Sequence, residues 1–204
     1  ELKLASPTIE KLGSREEVLD RVKEYEAAGA NAISIITEKH FFKGDVQFVS
    51  QVKENISLPI LQKDFVIDES QIYEAKQIGS DALLFIARLI DGETLKHFVS
   101  LTKSLGIDPV VEITNDEDLE KALRTETDII AVNARDLDTF IVDVSRACEL
   151  LVRIPDTFVK LGFSGINSSE EVAQYKKAGV HGILVGTSLM QSDDIAGFIG
   201  GLIK

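Results

Sequence analysis

The stretch Pro109–Asn133, PVVEITNDEDLEKALRTETDIIAVN, contains the unit from which the rest of the chain can be read. Pro109-Val-Val is a short apolar run, Asp116–Arg124 has the spacing of an amphipathic helix, and Ile129-Ile-Ala-Val is a second apolar run. Asn115 stands just before the acidic turn Asp116-Glu117-Asp118, where its side chain can accept from the helix's free N–H groups. The carboxylates then sit at the positive end of the helix dipole. The pattern is strand, helix, strand, and near-continuous apolar strands of this kind belong to parallel sheets buried on both faces. Each of the two strands ends on a polar residue, Glu112 and Asn133.

Working outward, the same alternation recurs at a period of roughly 25 residues. Strands are predicted at Leu2–Leu4, Ala32–Ile36, Ile60–Gln62, Ala82–Ile86, Pro109–Val111, Ile129–Val132, Val159–Gly162 and Ile183–Val185. Helices are predicted at Arg15–Ala28, Asp45–Glu54, Glu69–Ile78, Gly92–Leu105, Asp116–Arg124, Ser145–Leu151, Ser169–Ala178 and Asp194–Ile203. Ser14 with Glu17, and Ser168 with Glu171, have capping-box spacing. Gly29, Gly79, Gly106 and Gly179 follow helices, where a left-handed cap favours glycine. Eight such units predict an α/β fold, a (β/α)8 TIM barrel with a parallel eight-stranded barrel, occupying residues 1–204 as a single domain. An open doubly wound sheet is disfavoured, because no G-x-G-x-x-G follows the first strand.

Composition fits a globular enzyme. The chain has 204 residues, 44% hydrophobic and 27% charged, enough for one substantial core. Its net charge of −12, from 34 acidic and 22 basic residues, argues against nucleic-acid or anionic-membrane partners, and an anionic small molecule would need locally placed cations. A single cysteine, Cys148, reads as a small apolar filler and points to a reducing, cytoplasmic compartment. No apolar run approaches the roughly 18 residues of a membrane span, and no signal-peptide core opens the chain, so a soluble protein is expected.

In a barrel the site lies where strands end at their carboxyl side. Four polar residues fall at such ends: Lys3 beside Glu1, Lys63, Glu112 and Asn133. Charges there are costly to bury and poor for packing, so their recurrence marks a site. Burial and neighbours could lower the pKa of Lys63 and suit it to proton donation, with Glu112 as the opposing acid–base group and Asn133 as an orienting amide. Phe163-Ser-Gly-Ile and Val185-Gly-Thr-Ser place glycines and free N–H groups after the last two strands, where many barrels hold phosphate. Ser164, Gly165, Gly186 and Thr187 are the expected lining, with Ser6 joining from the first loop. Arg135 adds a cation, and Phe41, Phe42 and Phe65 are candidates to wall an aromatic ligand. His40, His97 and His181 lack ligand spacing, so no metal is expected.

Seven segments, in order, resemble the strand-end motifs of the indole-3-glycerol phosphate synthase family. They are Glu1-Leu-Lys-Leu-Ala-Ser-Pro, Ser34-Ile-Ile-Thr-Glu-Lys-His-Phe-Phe-Lys-Gly, Lys63-Asp-Phe-Val-Ile-Asp, Val111-Glu-Ile, Val132-Asn-Ala-Arg-Asp-Leu-Asp-Thr-Phe, Ser164-Gly-Ile and Leu184-Val-Gly-Thr-Ser-Leu-Met. The resemblance implies a carboxy-lyase of tryptophan biosynthesis that closes the indole ring of 1-(2-carboxyphenylamino)-1-deoxyribulose 5-phosphate and needs no cofactor. It implies that Lys63 is the general acid, that Glu112 serves the later dehydration, that Lys3 lies near the substrate carboxylate, and that Asn133 and Glu1 support them. It implies a phosphate cradle of Ser6, Ser164, Gly165, Gly186 and Thr187, and a wall of Phe42, Phe65, Arg135, Leu137 and Leu184 around the aromatic ring and its linker. A monomer is expected, able to associate with other tryptophan-pathway enzymes.

Two departures stand out. The family's pattern after the seventh strand is glutamate-serine-glycine, whereas this chain has Phe163-Ser164-Gly165. The chain also opens at Glu1 without the family's N-terminal helical extension, so an N-terminally shortened member is expected. Two alternative readings stay open: another phosphate-binding barrel, an isomerase or aldol-type lyase, and a phosphosugar-binding barrel without catalysis.

Overall fold

The computed structural model describes residues 1–203. Seven parallel strands form one sheet in sequential order: β1 (Ile33–Ile36), β2 (Ile60–Lys63), β3 (Ala82–Ile86), β4 (Asp108–Ile113), β5 (Ile129–Asn133), β6 (Val159–Phe163) and β7 (Gly182–Leu184). Helices alternate with them: α1 (Arg15–Ala27), α2 (Gln47–Lys53), α3 (Glu69–Ile78), α4 (Gly92–Ser104), α5 (Asp116–Ala122), α6 (Val144–Arg153), α7 (Ser169–Lys177), the short α8 (Thr187–Met190) and α9 (Ile195–Ile203). The sheet curls into a nearly closed barrel, as the alternation predicts.

Closure is made by the opening residues. The Leu2 N–H donates to the Ser34 carbonyl at 2.7 Å, the Ile36 N–H donates to the Leu2 carbonyl at 3.1 Å, and the Glu1 main-chain nitrogen donates to the Val185 carbonyl at 2.7 Å. The predicted strand Leu2–Leu4 is therefore corrected to a single bridge, Leu2 with Ile35. Its continuation is diverted, because the Leu4 carbonyl accepts from Leu12 and the Ala5 N–H turns to Phe42. Behind the bridge, between Ala30–Ser34 and Gly182–Val185, lies a cavity of about 550 Å³ that also touches Leu61, Leu161 and Phe163.

Strand side chains alternate faces, and this sorts the core. Leu83, Phe85, Val111, Ile113, Ile130 and Val132 face outward, beneath the helices, in one large cluster. Leu61, Leu84, Ile86, Val110, Ala131 and Phe163 face inward and fill the barrel. The same alternation carries Lys63 two residues past Leu61, Glu112 past Val110 and Asn133 past Ala131. All three side chains therefore project to the inside at the carboxyl mouth.

The helix ends follow local chemistry. Ser14 and Ser168 form the expected capping boxes, Asn115 accepts from Asp118, and Asp68 makes a third box with Gln71. The four glycines expected after helices all have positive φ. Helix α6 runs longer than predicted, beginning at Val144 because Asp143 caps it by accepting from Arg146. The four-residue α8 and a 3-10 turn at Ala87–Leu89 have no periodic signal of their own, being too short to show one.

Candidate active site

At the mouth, five charged or amide side chains from four segments form one array. Lys63, the last residue of β2, has its ammonium 3.3 Å from Glu1 Oε2 and 3.7 Å from Glu112 Oε2. Lys3 Nζ lies 3.0 Å from Glu1 Oε1, so the Glu1 carboxylate is clamped between two lysines. Asn133 donates through Nδ2 to Glu112 Oε1 at 3.0 Å and accepts through Oδ1 from the Arg135 N–H at 3.0 Å. Glu112 is only 2% exposed, and its Oε2 has no hydrogen-bond partner. That oxygen meets the Lys63 ammonium across 3.7 Å, and a buried carboxylate oxygen with no hydrogen-bond donor of its own is costly.

Electrostatics here differ from the expectation that the Lys63 pKa falls. Burial does act to lower it, but the carboxylates of Glu1 and Glu112 outweigh burial, and the ammonium is held above its ordinary 10.5. Burial likewise acts to raise the Glu1 carboxyl, yet Lys63 and Lys3 outweigh that and bring it down to about 2. Lys63 is thus a charged ammonium at neutral pH, and Glu1 an anion set between two cations. The aromatic ring that meets Lys63 is Phe163, whose centroid lies 4.7 Å from Nζ.

A pocket of about 170 Å³ adjoins this array and is lined by Glu1, Lys3, Lys63, Arg135, Ser164, Gly165, Leu184, Gly186, Thr187 and Ser188, among others. Its glycine turns have no room for a side chain. Gly165 has φ of 71°, and a Cβ there would lie 2.5 Å from Val144 Cγ2. A Cβ on Gly186 would lie 2.5 Å from Glu1 Oε1. Ser164 also has positive φ, 68°, and its carbonyl is held by the Tyr175 hydroxyl at 3.0 Å. Gly186 precedes the four-residue α8, and Gly186, Thr187 and Ser188 all line the pocket.

Other expected residues sit farther out. Ser6 bonds within its own turn, its hydroxyl 3.3 Å from that of Thr8, and it is not among the residues lining the pocket. Phe42 is half-buried in the loop after β1, where its N–H donates to Glu38, and Phe65 is exposed after β2. Arg135 is braced by the Phe140 carbonyl at 2.9 Å, and Leu137 and Leu184 pack against the inner core.

Several positioning residues escaped the sequence reading. Glu38 accepts from the N–H groups of His40, Phe41 and Phe42, shaping the loop after β1. Its signal was a carboxylate at a strand end followed by a turn. Ser188 donates to Asn167 at 2.6 Å and ties the two glycine loops together. Arg88 reaches Asp138 at 2.7 Å, joining the loops after β3 and β5. No local pattern announces either of these pairs, whose partners lie 21 and 50 residues apart.

The fold and the sequence both have counterparts among known proteins. A solved structure described as the native KDPGal structure superposes with a TM-score of 0.67 over 94% of this chain and 88% of its own, at 14% identity. That likeness concerns the fold alone. The chain is 41% identical over 194 residues to the indole-3-glycerol phosphate synthase of Caldanaerobacter subterraneus subsp. tengcongensis, covering 95% of this chain and 75% of that protein. It is 41% identical over 207 residues to the indole-3-glycerol phosphate synthase of Thermoanaerobacter sp. strain X514, covering 100% of this chain and 78% of that protein. It is 37% identical over 202 residues to that of Staphylococcus saprophyticus, covering 99% and 77%. With the family profile for indole-3-glycerol phosphate synthase matching residues 1–202 as well, the chain belongs to the indole-3-glycerol phosphate synthase family.

Proposed function

We propose that this chain closes the indole ring of 1-(2-carboxyphenylamino)-1-deoxyribulose 5-phosphate, releasing carbon dioxide and water and leaving indole-3-glycerol phosphate, a step of tryptophan biosynthesis. The observation that carries the reading is the joining of a strand-end lysine, a buried carboxylate paired with it and two glycine turns around one mouth. The names of the relatives support the same reaction.

In this reading the phosphate rests on the N–H groups of Ser164, Gly165, Gly186 and Thr187, with Ser6 available from the first loop. Lys3 attracts the substrate carboxylate, while Phe42, Phe65, Arg135, Leu137 and Leu184 surround the aromatic ring and its linker. Lys63 gives its proton to the ketone oxygen as the ring carbon that bears the carboxylate attacks the carbonyl carbon. A carbon–carbon bond forms, the ketone becomes a hydroxyl, and loss of carbon dioxide returns the bonding electrons to the aromatic ring. Glu112, oriented by Asn133, then accepts the neighbouring proton and passes it to the hydroxyl, which leaves as water, while Lys63 regains its own proton from solvent. A positioned acid or base of this kind accelerates its step about 10²–10⁴-fold.

Among the described residues no helix is long and apolar enough to cross a membrane, and the reading is of a cytoplasmic monomer open to association with enzymes of the same pathway. Fluorescence of the indole product from synthetic substrate tests the activity. Steady product formation supports it. No product, together with turnover of a phosphosugar, would favour an isomerase or aldol-type lyase on the same barrel.

A further inference from the structure

Phe163 packs in the inner core and also meets a cation. It is 2% exposed and is the one aromatic residue in an otherwise aliphatic inner cluster with Leu61, Leu84, Ile86, Val110 and Ala131. Its backbone is pinned on both sides by pairing with Asn133 and Leu184, and its carbonyl accepts from the Ala134 N–H at 2.9 Å and the Tyr175 hydroxyl at 3.2 Å. The ring cannot drift far. Its face meets Lys63 Nζ at 4.7 Å, well inside the roughly 6 Å over which a ring quadrupole attracts a cation. Phe163 also lines the 550 Å³ cavity, together with Glu1, Leu61 and Leu184.

We propose that Phe163 is a positioning residue for Lys63: the ring face provides the third contact of an ammonium already held by Glu1 and Glu112. An ammonium has three N–H donors and no acceptor. Two point toward carboxylates at 3.3 and 3.7 Å, and a third carboxylate would compete with substrate for the proton. A neutral π face attracts the cation without becoming a rival base. This rests on the reading of Lys63 as the general acid. The charged groups around that ammonium are Glu1 and Lys3 from the opening segment, Glu112 from β4, and Arg135 across the pocket.

The test replaces Phe163 with 4-fluoro-, 3,5-difluoro- and 3,4,5-trifluorophenylalanine, which weaken the ring face stepwise at nearly constant shape. The deciding readout is the titration midpoint of the Lys63 ammonium in the free protein, followed by NMR of ε-carbon-labelled lysine and assigned with Lys63→Met. We expect a stepwise fall totalling about half a unit to one unit, the equivalent of a threefold to tenfold loss of ammonium stabilisation. Phe163→Leu, which keeps an apolar plug without a π face, should lower kcat about tenfold while leaving KM within about twofold, the split expected of a group that acts on the transition state alone. A midpoint that stays flat across the fluorinated series overturns the proposal, whatever the activity. Failure of the ring-closure reading would show instead as an inactive parent protein with the titration trend intact.

Discussion

Replacing Lys63 separates its charge from its proton. Lys63→Met removes both, and Lys63→Arg keeps the charge on a planar, effectively non-donating group. At an effective dielectric of about 20, contacts at 3.3 and 3.7 Å are worth about 5 and 4.5 kcal/mol of gross attraction, offset by several kcal/mol of desolvation. Breaking a buried pair from one side costs about 3–5 kcal/mol, so the methionine variant should melt about 6–20 °C lower. The arginine variant should lose less than half of that. Both should lose about 10²–10⁴-fold in kcat, which corresponds to about 2.7–5.4 kcal/mol of transition-state stabilisation. Substrate affinity should change little, since the glycine turns and Lys3 remain. Single-turnover fluorescence gives the rate, and substrate titration of the same variants gives the affinity. An arginine variant turning over within about threefold of the parent would show that charge, not proton transfer, is what Lys63 supplies. A methionine variant with near-parental kcat would remove Lys63 from the chemistry altogether.

The pH behaviour follows from the clamp. The Glu1 carboxyl is lower in the folded protein, about 2, than its ordinary 4.5, so its contribution is present above pH 4.5 and lost as pH falls toward 2. That shift is worth about 3 kcal/mol, and thermal unfolding over this window should fall more steeply for the parent than for Glu1→Gln; parallel curves would refute the clamp. Lys63 is raised above 10.5, so its contribution is full below that pH and lost only as pH climbs beyond it. The alkaline limb of kcat/KM assigned to Lys63 should accordingly lie above pH 10.5, and a limb near neutrality that disappears in Lys63→Met would contradict the charge arrangement. Gly165→Ala forces a side chain into a left-handed position and against Val144, which should cost about 2 kcal/mol and raise KM at least about tenfold. An unchanged KM, with inorganic phosphate inhibiting as before, would take the phosphate away from this turn.

Much of this molecule is legible in the chain because β/α units are governed by local rules. Apolar runs of the right length, capping pairs at Ser14–Glu17 and Ser168–Glu171, and glycines after helices act over a few residues each, and the elements appear close to their predicted bounds. The polar strand ends Lys63, Glu112 and Asn133 could also be read, because the two-residue alternation of a strand fixes which face they share once the sheet closes. The opening strand was overestimated because Leu2-Lys-Leu resembles a strand, while the diversion of Leu4 and Ala5 depends on Leu12 and Phe42, contacts that no local pattern encodes.

The architecture, the mouth at which chemistry collects and the residue types available there all follow from patterns local in the chain. Tertiary structure alone decided the charge states and the partners. Burial by itself lowers the affinity of Lys63 for its proton, and only the approach of Glu1, 62 residues upstream, together with Glu112, reverses that effect. The ring beneath that ammonium belongs to Phe163, a hundred residues away, and not to the neighbouring Phe65. Coulomb and π contacts depend on distances of a few ångströms between strands, and those distances exist only once the barrel has closed.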